Sequence, residues 1–255
     1  NQMKKEIVIE FALVFFFIIV EVILFIPKNP TGFATIESTV QANCNASGSG
    51  CCDVLGARTY TLTCCDNIGS GTFTLTQDVS SAGSCVNMTS SNATLNCNGF
   101  TINYATGAPT GAGVNVSTSD LTIEMNNITI QNCIINAGSN TSASQYGIWF
   151  NRPQHSNVSN NTITTGGTYD NIGLYIRQGV GYTNFTVNTI TTVGTNAVGG
   201  NIGIYGISSA HNRIANNTVR TRGIGENNTG IYLEEGSNNT VQLNNITTNG
   251  TSFNH

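Results

Sequence analysis

Lysine stops at residue 28. Lys4, Lys5 and Lys28 are the whole set, and everything downstream holds six arginines and no lysine. Charged residues make up only 9% of the 255-residue chain and the formal net charge is −4. Without a basic cluster there is nothing to neutralise phosphates, which excludes nucleic acid as a partner. Histidine is missing from the neighbourhood of the cysteines, and no aspartate recurs at a fixed spacing. Surface polarity therefore comes from Asn, Thr, Ser and Gly. Such a composition can mean disorder, but here Ile, Val and aromatic residues recur at fixed places among the polar ones, a pattern able to bury a core.

Eight cysteines are present: Cys44, Cys51, Cys52, Cys64, Cys65, Cys85, Cys97 and Cys133. An even number clustered behind an export signal reads as a disulfide framework built in an oxidising compartment, with the pairing open. Zinc fits worse. Adjacent Cys-Cys pairs lack the loop that brings two thiolates onto one tetrahedral ion, and no histidine stands by to complete the set. Asn-x-Ser/Thr sequons begin at Asn45, Asn87, Asn92, Asn115, Asn127, Asn140, Asn157, Asn160, Asn184, Asn216, Asn227, Asn238, Asn245 and Asn249. An Asn/Thr-rich chain makes some of these by chance, yet beside cysteines and an export signal they imply N-glycosylation.

Ile7 to Ile26 is apolar except for Glu10 and Glu21. Twenty helical residues span about 30 Å, the hydrocarbon thickness of a bilayer. Lys4 and Lys5 before the run orient the N-terminus to the cytoplasm and the remainder outside. Residues 1–34 are thus expected to form a hydrophobic helix, a membrane anchor or an assembly helix. Cleavage as a signal peptide near Gly32-Phe33-Ala34 is the competing reading. The two glutamates lie eleven residues apart, on one helical face, where an acidic stripe in lipid calls for a helical partner. The segment resembles the N-termini of type IV pilins: counting from Glu6, Glu10 is fifth and Pro27 twenty-second. Lys5 and Glu6 depart from that pattern.

The second half repeats. Gly147-Ile148-Trp149-Phe150, Gly173-Leu174-Tyr175-Ile176, Gly203-Ile204-Tyr205-Gly206 and Gly230-Ile231-Tyr232-Leu233 recur at spacings of 26, 30 and 27. A second register, Ile130, Val158, Phe185, Ile214 and Val241, keeps the same period, and five residues later come Ile135, Ile163, Ile190, Val219 and Ile246. Short period-two runs broken by Gly, Asn and Thr are strands and turns, and the lack of a 3.6-residue stripe excludes helical solenoids. One such coil cannot bury its own apolar residues, whereas stacked coils align Ile on Ile. Asn161, Asn188, Asn217 and Asn244 share one offset, with Cys133 in that place one coil earlier, so a hydrogen-bonded amide ladder is expected. The expected fold is all-β: a right-handed parallel β-helix over residues 91–255, preceded by a Cys-rich cap over 35–90. His255 falls inside a coil, and an open coil needs covering by further chain or by another molecule.

These repeats resemble the parallel β-helix repeat family, especially cell-surface β-helix proteins of archaea. Thr94-Leu95-Asn96-Cys97-Asn98-Gly99-Phe100-Thr101-Ile102 looks like that family's entry motif, and Thr72 to Val79 like its lead-in strand. The resemblance covers residues 58 to 255 and implies a fold rather than a function, because the family includes lyases, hydrolases, adhesins and structural proteins.

Polysaccharide lyases and glycosidases need clustered or paired carboxylates. Asp53, Asp66, Asp78, Asp120 and Asp170 are scattered, and Glu234-Glu235, the one tight pair, points to opposite faces of a strand. Aligned on their glycines, the coils put Arg177 in the column of Glu234, Arg152 in that of Glu235, and His155 with His211. Trp149, Tyr175, Tyr205 and Tyr232 should form an outward row, suited to stacking along the sheet, to another subunit or to a sugar face. The expectation is a non-enzymatic, extracellular, membrane-associated structural glycoprotein. It has no cofactor or metal, and it self-associates into a filament, surface layer or adhesin-like array through Glu10, Glu21 and the aromatic row. Carbohydrate binding or polysaccharide degradation is the alternative.

Overall fold

A computed structural model describes residues 59–62, 65–107, 110–118, 124–138, 144–195, 200–224 and 228–250. The helix expected over residues 1–34, with Glu10 and Glu21, lies outside them. So do Cys44, Cys51, Cys52, Cys64, Asn45, Asn140 and Asn227.

The described chain is a parallel β-solenoid of about six turns. Each turn contributes one strand to each of three parallel sheets. Sheet I has eight strands, from Thr59–Leu62 to Thr240–Gln242. Sheet II has seven, from Val79–Ser80 to Asn245–Gly250, and sheet III has seven, from Asn67–Ile68 to Thr229–Glu234. Parallel pairing already begins where Thr59–Leu62 meets Gly71–Leu75, so residues 59–90, expected to be a separate cap, add strands to the same sheets. The early turns conceal this in the sequence. Stacked core positions Phe73, Leu95 and Ile130 lie 22 and 35 residues apart, and no 27-residue period survives there.

The core is a set of columns. Ile130, Val158, Phe185 and Ile214 stack inside sheet I, and Ile135, Ile163, Ile190 and Val219 inside sheet II; all are buried. Sheet III turns in two consecutive residues per coil, Gly147-Ile148 and Gly173-Leu174 among them, breaking the in–out alternation. The glycine is there because it has no Cβ. At Gly147, Gly173, Gly203 and Gly230 an added Cβ would overlap the branched residue of sheet II in the facing wall: Ile163, Ile190, Val219 and Ile246. The repeated Gly and the repeated Ile are thus two halves of one contact across the solenoid.

Turns are held by polar columns. Asn188 is buried; its Oδ1 accepts from the Asn161 backbone N–H (3.1 Å) and Nδ2 (3.0 Å), and its own Nδ2 donates to the Val158 carbonyl (2.9 Å) and Asn217 Oδ1 (3.1 Å). Asn217 and Asn244 repeat the pattern. One turn earlier the column holds Cys133, whose backbone N–H donates to Asn161 Oδ1 and whose sulfur is bonded to Cys97 in the preceding coil. A covalent rung replaces an amide rung one turn before Asn161. The second described disulfide is Cys65–Cys85.

Just before the Asn column each turn needs a residue in the left-handed region: Asn132, Asn160, Val187, Asn216 and Leu243 have φ of 57°, 55°, 59°, 56° and 54°. Asparagine tolerates this conformation; a β-branched valine does not. Asn160 Nδ2 also donates to Asn132 Oδ1, so asparagine can ladder here. Val187→Asn is therefore expected to stabilise the protein by about 1 kcal/mol, raising Tm by about 2–4 °C. The exchange writes an Asn-Asn-Thr sequon, so the thermal melt belongs on protein made without N-glycosylation. An unchanged or lower Tm would contradict the strain assigned to Val187.

Candidate functional site: the outer face of sheet III

Sheets I and II present mainly polar outer faces, with Ile134 and Val193 the exposed apolar residues of sheet II before the last described turn. On sheet I these are residues such as Asn157, Ser159, Asn184 and Thr186, and on sheet II Thr162, Thr164, Thr189, Thr191, Arg220 and Arg222. Sheet III differs. Its outward central column begins as an amide ladder, with Asn87 Nδ2 donating to Asn67 Oδ1 (2.9 Å) and Asn115 Nδ2 to Asn87 Oδ1 (3.1 Å). In register above Asn115 it becomes Trp149, Tyr175, Tyr205 and Tyr232.

Tyr175 stacks on Tyr205 at 5.1 Å between ring centroids and 6° between planes, and Tyr205 on Tyr232 at 5.4 Å and 17°. Trp149 meets Tyr175 edge-to-face at 5.1 Å, and Tyr146 lies against both, 4.7 Å from Trp149 and 5.6 Å from Tyr175. The strand spacing of about 4.8 Å sets this ladder, since stacked rings need nearly the same separation. Stacking has a chemical consequence. The tyrosine faces are turned to one another, so that part of the row offers ring edges and phenol hydroxyls to the outside. Tyr232, at the end of the stack and 45% exposed, keeps an open face, and Trp149 meets its neighbours edge-on. A sugar packing on ring faces would find few.

Beside the aromatic row runs a second column, Tyr146, Ile172, Ile202 and Thr229, in which Ile172 is buried and the others are half-buried. Between these columns and the preceding turns lies a depression of about 510 Å³ lined by Asp170, Ile172, Gly200, Ile202, Tyr205, Thr229 and Tyr232. On the other flank the third column reads Asn151, Arg177, Ile207 and Glu234. Arg177 and Glu234 share a column as expected, but Ile207 separates them and leaves them about 10 Å apart, two strand spacings. Within the chain each has another partner. The Arg177 guanidinium sits 5.7 Å from the Trp149 ring centroid, and the Tyr205 hydroxyl donates to Glu234 Oε2 at 2.7 Å. Arg152 and Glu235 share the next column, in left-handed turns three coils apart, with Ser208 donating to Glu235. No carboxylate pair forms there. Among the described residues no group of three His, Cys, Asp or Glu could hold a metal ion.

His155 and His211 do belong to one column, with Tyr182 between them. Tyr182 stacks on His155 at 5.0 Å and on His211 at 4.8 Å, all three in left-handed turns. Sequence reasoning missed Tyr182 because the count was taken from the glycine, and this turn carries one extra residue. Counted back three from Val158, Phe185 and Ile214, all three fall in line. Tyr146 was missed because Ile172 and Ile202 replace it in later coils.

Three phenols are shifted upward, among them Tyr146, where burial outweighs the lowering by a hydrogen bond with Ser144. Burial, then the hydrogen bond and charge of Glu234, push the Tyr205 hydroxyl above its ordinary range, and burial alone does so for Tyr104. A group whose pKa is raised in the fold stays protonated while the unfolded chain ionises. Its stability contribution is complete below about pH 10 and is lost as pH climbs toward the folded value. Stability is therefore expected to fall from about pH 10 upward, with Tyr104 and Tyr205 ionising only after unfolding and Tyr146 later than an exposed tyrosine. A spectrophotometric titration in which all eight tyrosines ionise together in the folded protein would contradict this.

The eleven described sequon asparagines are all exposed or half-exposed. Asn92, Asn127, Asn157, Asn160, Asn184, Asn216 and Asn238 lie on sheet I or the turns beside it, Asn245 and Asn249 on sheet II, and Asn87 and Asn115 on the early strands of sheet III. The strands that carry the aromatic row, Gln145–Asn151, Ile172–Arg177, Ile202–Ile207 and Thr229–Glu234, contain no sequon asparagine. No protein-family model, no curated protein and no solved structure matches this chain.

Proposed function

We propose that this protein is a structural glycoprotein of the cell surface: a disulfide-stapled, glycan-coated β-solenoid that is tethered through its N-terminal apolar segment and assembles with copies of itself. The observation that carries the reading is the division of the outer surface. Sequons gather on and around sheet I, while the later strands of sheet III carry aromatic and aliphatic side chains instead. A glycan-bearing face stays solvated, and an apolar face of several hundred square ångströms marks a contact surface. Two disulfides suit an oxidising exterior, and columns of buried amides suit a rod that must stay rigid outside the cell.

Glycopeptide mass spectrometry and negative-stain imaging of native material test this together. Glycan on the sheet I turns and ordered higher-order particles are expected. A chain free of glycan, with the sulfurs of Cys97 and Cys133 reduced, would retire the reading.

A saccharide-binding or polysaccharide-degrading protein is the second reading, favoured by the depression beside Tyr205 and Tyr232. Against it stand the mutually covered tyrosine faces and the separation of Arg177 from Glu234. Sugar ends released from a polysaccharide by the wild type but not by Glu234→Ala would establish it.

A further inference from the structure

We infer that the aromatic face of sheet III pairs with the same face of a second copy of this chain, the two solenoids running antiparallel. The inference rests on the self-assembly reading above and names the surface and geometry through which it happens. Three observations converge. The face carries Trp149, Tyr175, Tyr205, Tyr232 and Arg177, residue types that concentrate binding energy at protein–protein contacts. It is bounded at its lower end by the sequon at Asn115, in register with Trp149, and its own strands hold no sequon asparagine, the sequon at Asn227 only ending on Thr229, so glycans flank the contact.

The third observation is its charge pattern. Arg177 and Glu234 stand in one column on either side of Ile207. A two-fold axis lying in the contact plane, along the strand Ile202–Ile207, reverses the solenoid direction and keeps each column facing itself. It therefore sets Arg177 of each copy opposite Glu234 of the other, and Tyr175 opposite Tyr232. An isologous contact requires such self-complementarity, with residue i meeting j and j meeting i. A parallel pairing about an axis along the aromatic row would reverse the order of the columns and set Arg177 opposite Ile172 and Glu234 opposite Thr229, leaving both charges without a partner across the contact.

Four strands about 4.8 Å apart and six residues long cover roughly 400 Å² per copy, about half of what a standard stable interface uses. The pair is accordingly weak in solution, with Kd in the micromolar range or above.

Sedimentation of the full-length chain in mild detergent, across a concentration series, reads the pairing. Arg177→Glu and Glu234→Arg should each weaken the dimer at least tenfold, and the double exchange should restore it to within about threefold. Arg177 and Glu234 do not touch within one chain, so rescue reports a contact between chains. Because Ile207 lies on the axis, Ile207→Cys should form a disulfide-linked dimer on mild oxidation, while Thr164→Cys on sheet II should not. A wild type that stays monomeric at millimolar concentration, a dimer indifferent to both single reversals, or a double exchange as weak as the singles would overturn the pairing. Particles that persist unchanged in Arg177→Glu would remove the pairing and leave the self-assembly reading. A charge-dependent dimer without larger particles would support the pairing and remove that reading.

Discussion

Gly173→Ala should cost about 3 kcal/mol or more, enough to unfold much of the population of a protein of ordinary stability. The new methyl overlaps Ile190 Cγ2 and lies 2.7 Å from the Gly203 carbonyl oxygen. Neither obstacle can step aside. Ile190 is fully buried between Ile163 and Val219, and the carbonyl belongs to the next coil of the same wall. Ile190→Ala on top of Gly173→Ala should recover only part of the loss, since it removes one collision and opens a cavity. Gly83→Ala is the control: nothing lies within 4 Å of a Cβ there, and its melt should match the wild type to within about 0.5 kcal/mol. Equal denaturation midpoints for Gly173→Ala and Gly83→Ala would mean that the glycine column is not set by the opposite wall.

Asn188→Leu is expected to cost about as much, roughly 3–5 kcal/mol, although leucine is the more apolar residue and the site is buried. The substitution strands the Asn161 backbone N–H and takes an acceptor from Asn161 Nδ2. It also takes a donor from the Val158 carbonyl and another from Asn217 Oδ1. Each buried polar group left without a partner costs about 1–3 kcal/mol, and no single leucine replaces four hydrogen bonds. Asn244→Leu offers the comparison. Asn244 is only half-buried in the last described turn, where water can reach the freed groups, so its cost should be about 1 kcal/mol. Urea unfolding of the pair decides it. If Asn188→Leu were no worse than Asn244→Leu, the column would be a packing feature rather than a hydrogen-bond ladder.

The repeat was legible because its two registers obey one physical requirement, that each turn rest on the next. Ile163, Ile190, Val219 and Ile246 share a column in the structure as their spacing foretold, and so do Asn161, Asn188, Asn217 and Asn244. The outward aromatic row was legible too, since a branched residue committed to the core sends its neighbour outside. The early turns were not. From Thr59 to Gln131 the coils vary in length, and variable turns destroy the period although the strands still pair. Cys97 and Cys133 could be expected to be oxidised, but their mutual bond needed the stacking of two coils 36 residues apart in sequence.

By itself the sequence determined the solenoid, its core columns and the amide ladder, because each follows from local alternation repeated at a constant period. Three matters were decided only by the tertiary structure. Stacking covers the faces of the tyrosine rings and leaves their edges outside. Arg177 and Glu234, at one offset in coils two apart, each find a different partner, the Trp149 ring and the Tyr205 hydroxyl. The glycine of each coil is fixed by an isoleucine or valine from a different sheet. All three depend on distances between residues in neighbouring coils or facing walls, set by the strand spacing and the width of the solenoid, and neither quantity is written in the order of residues along the chain.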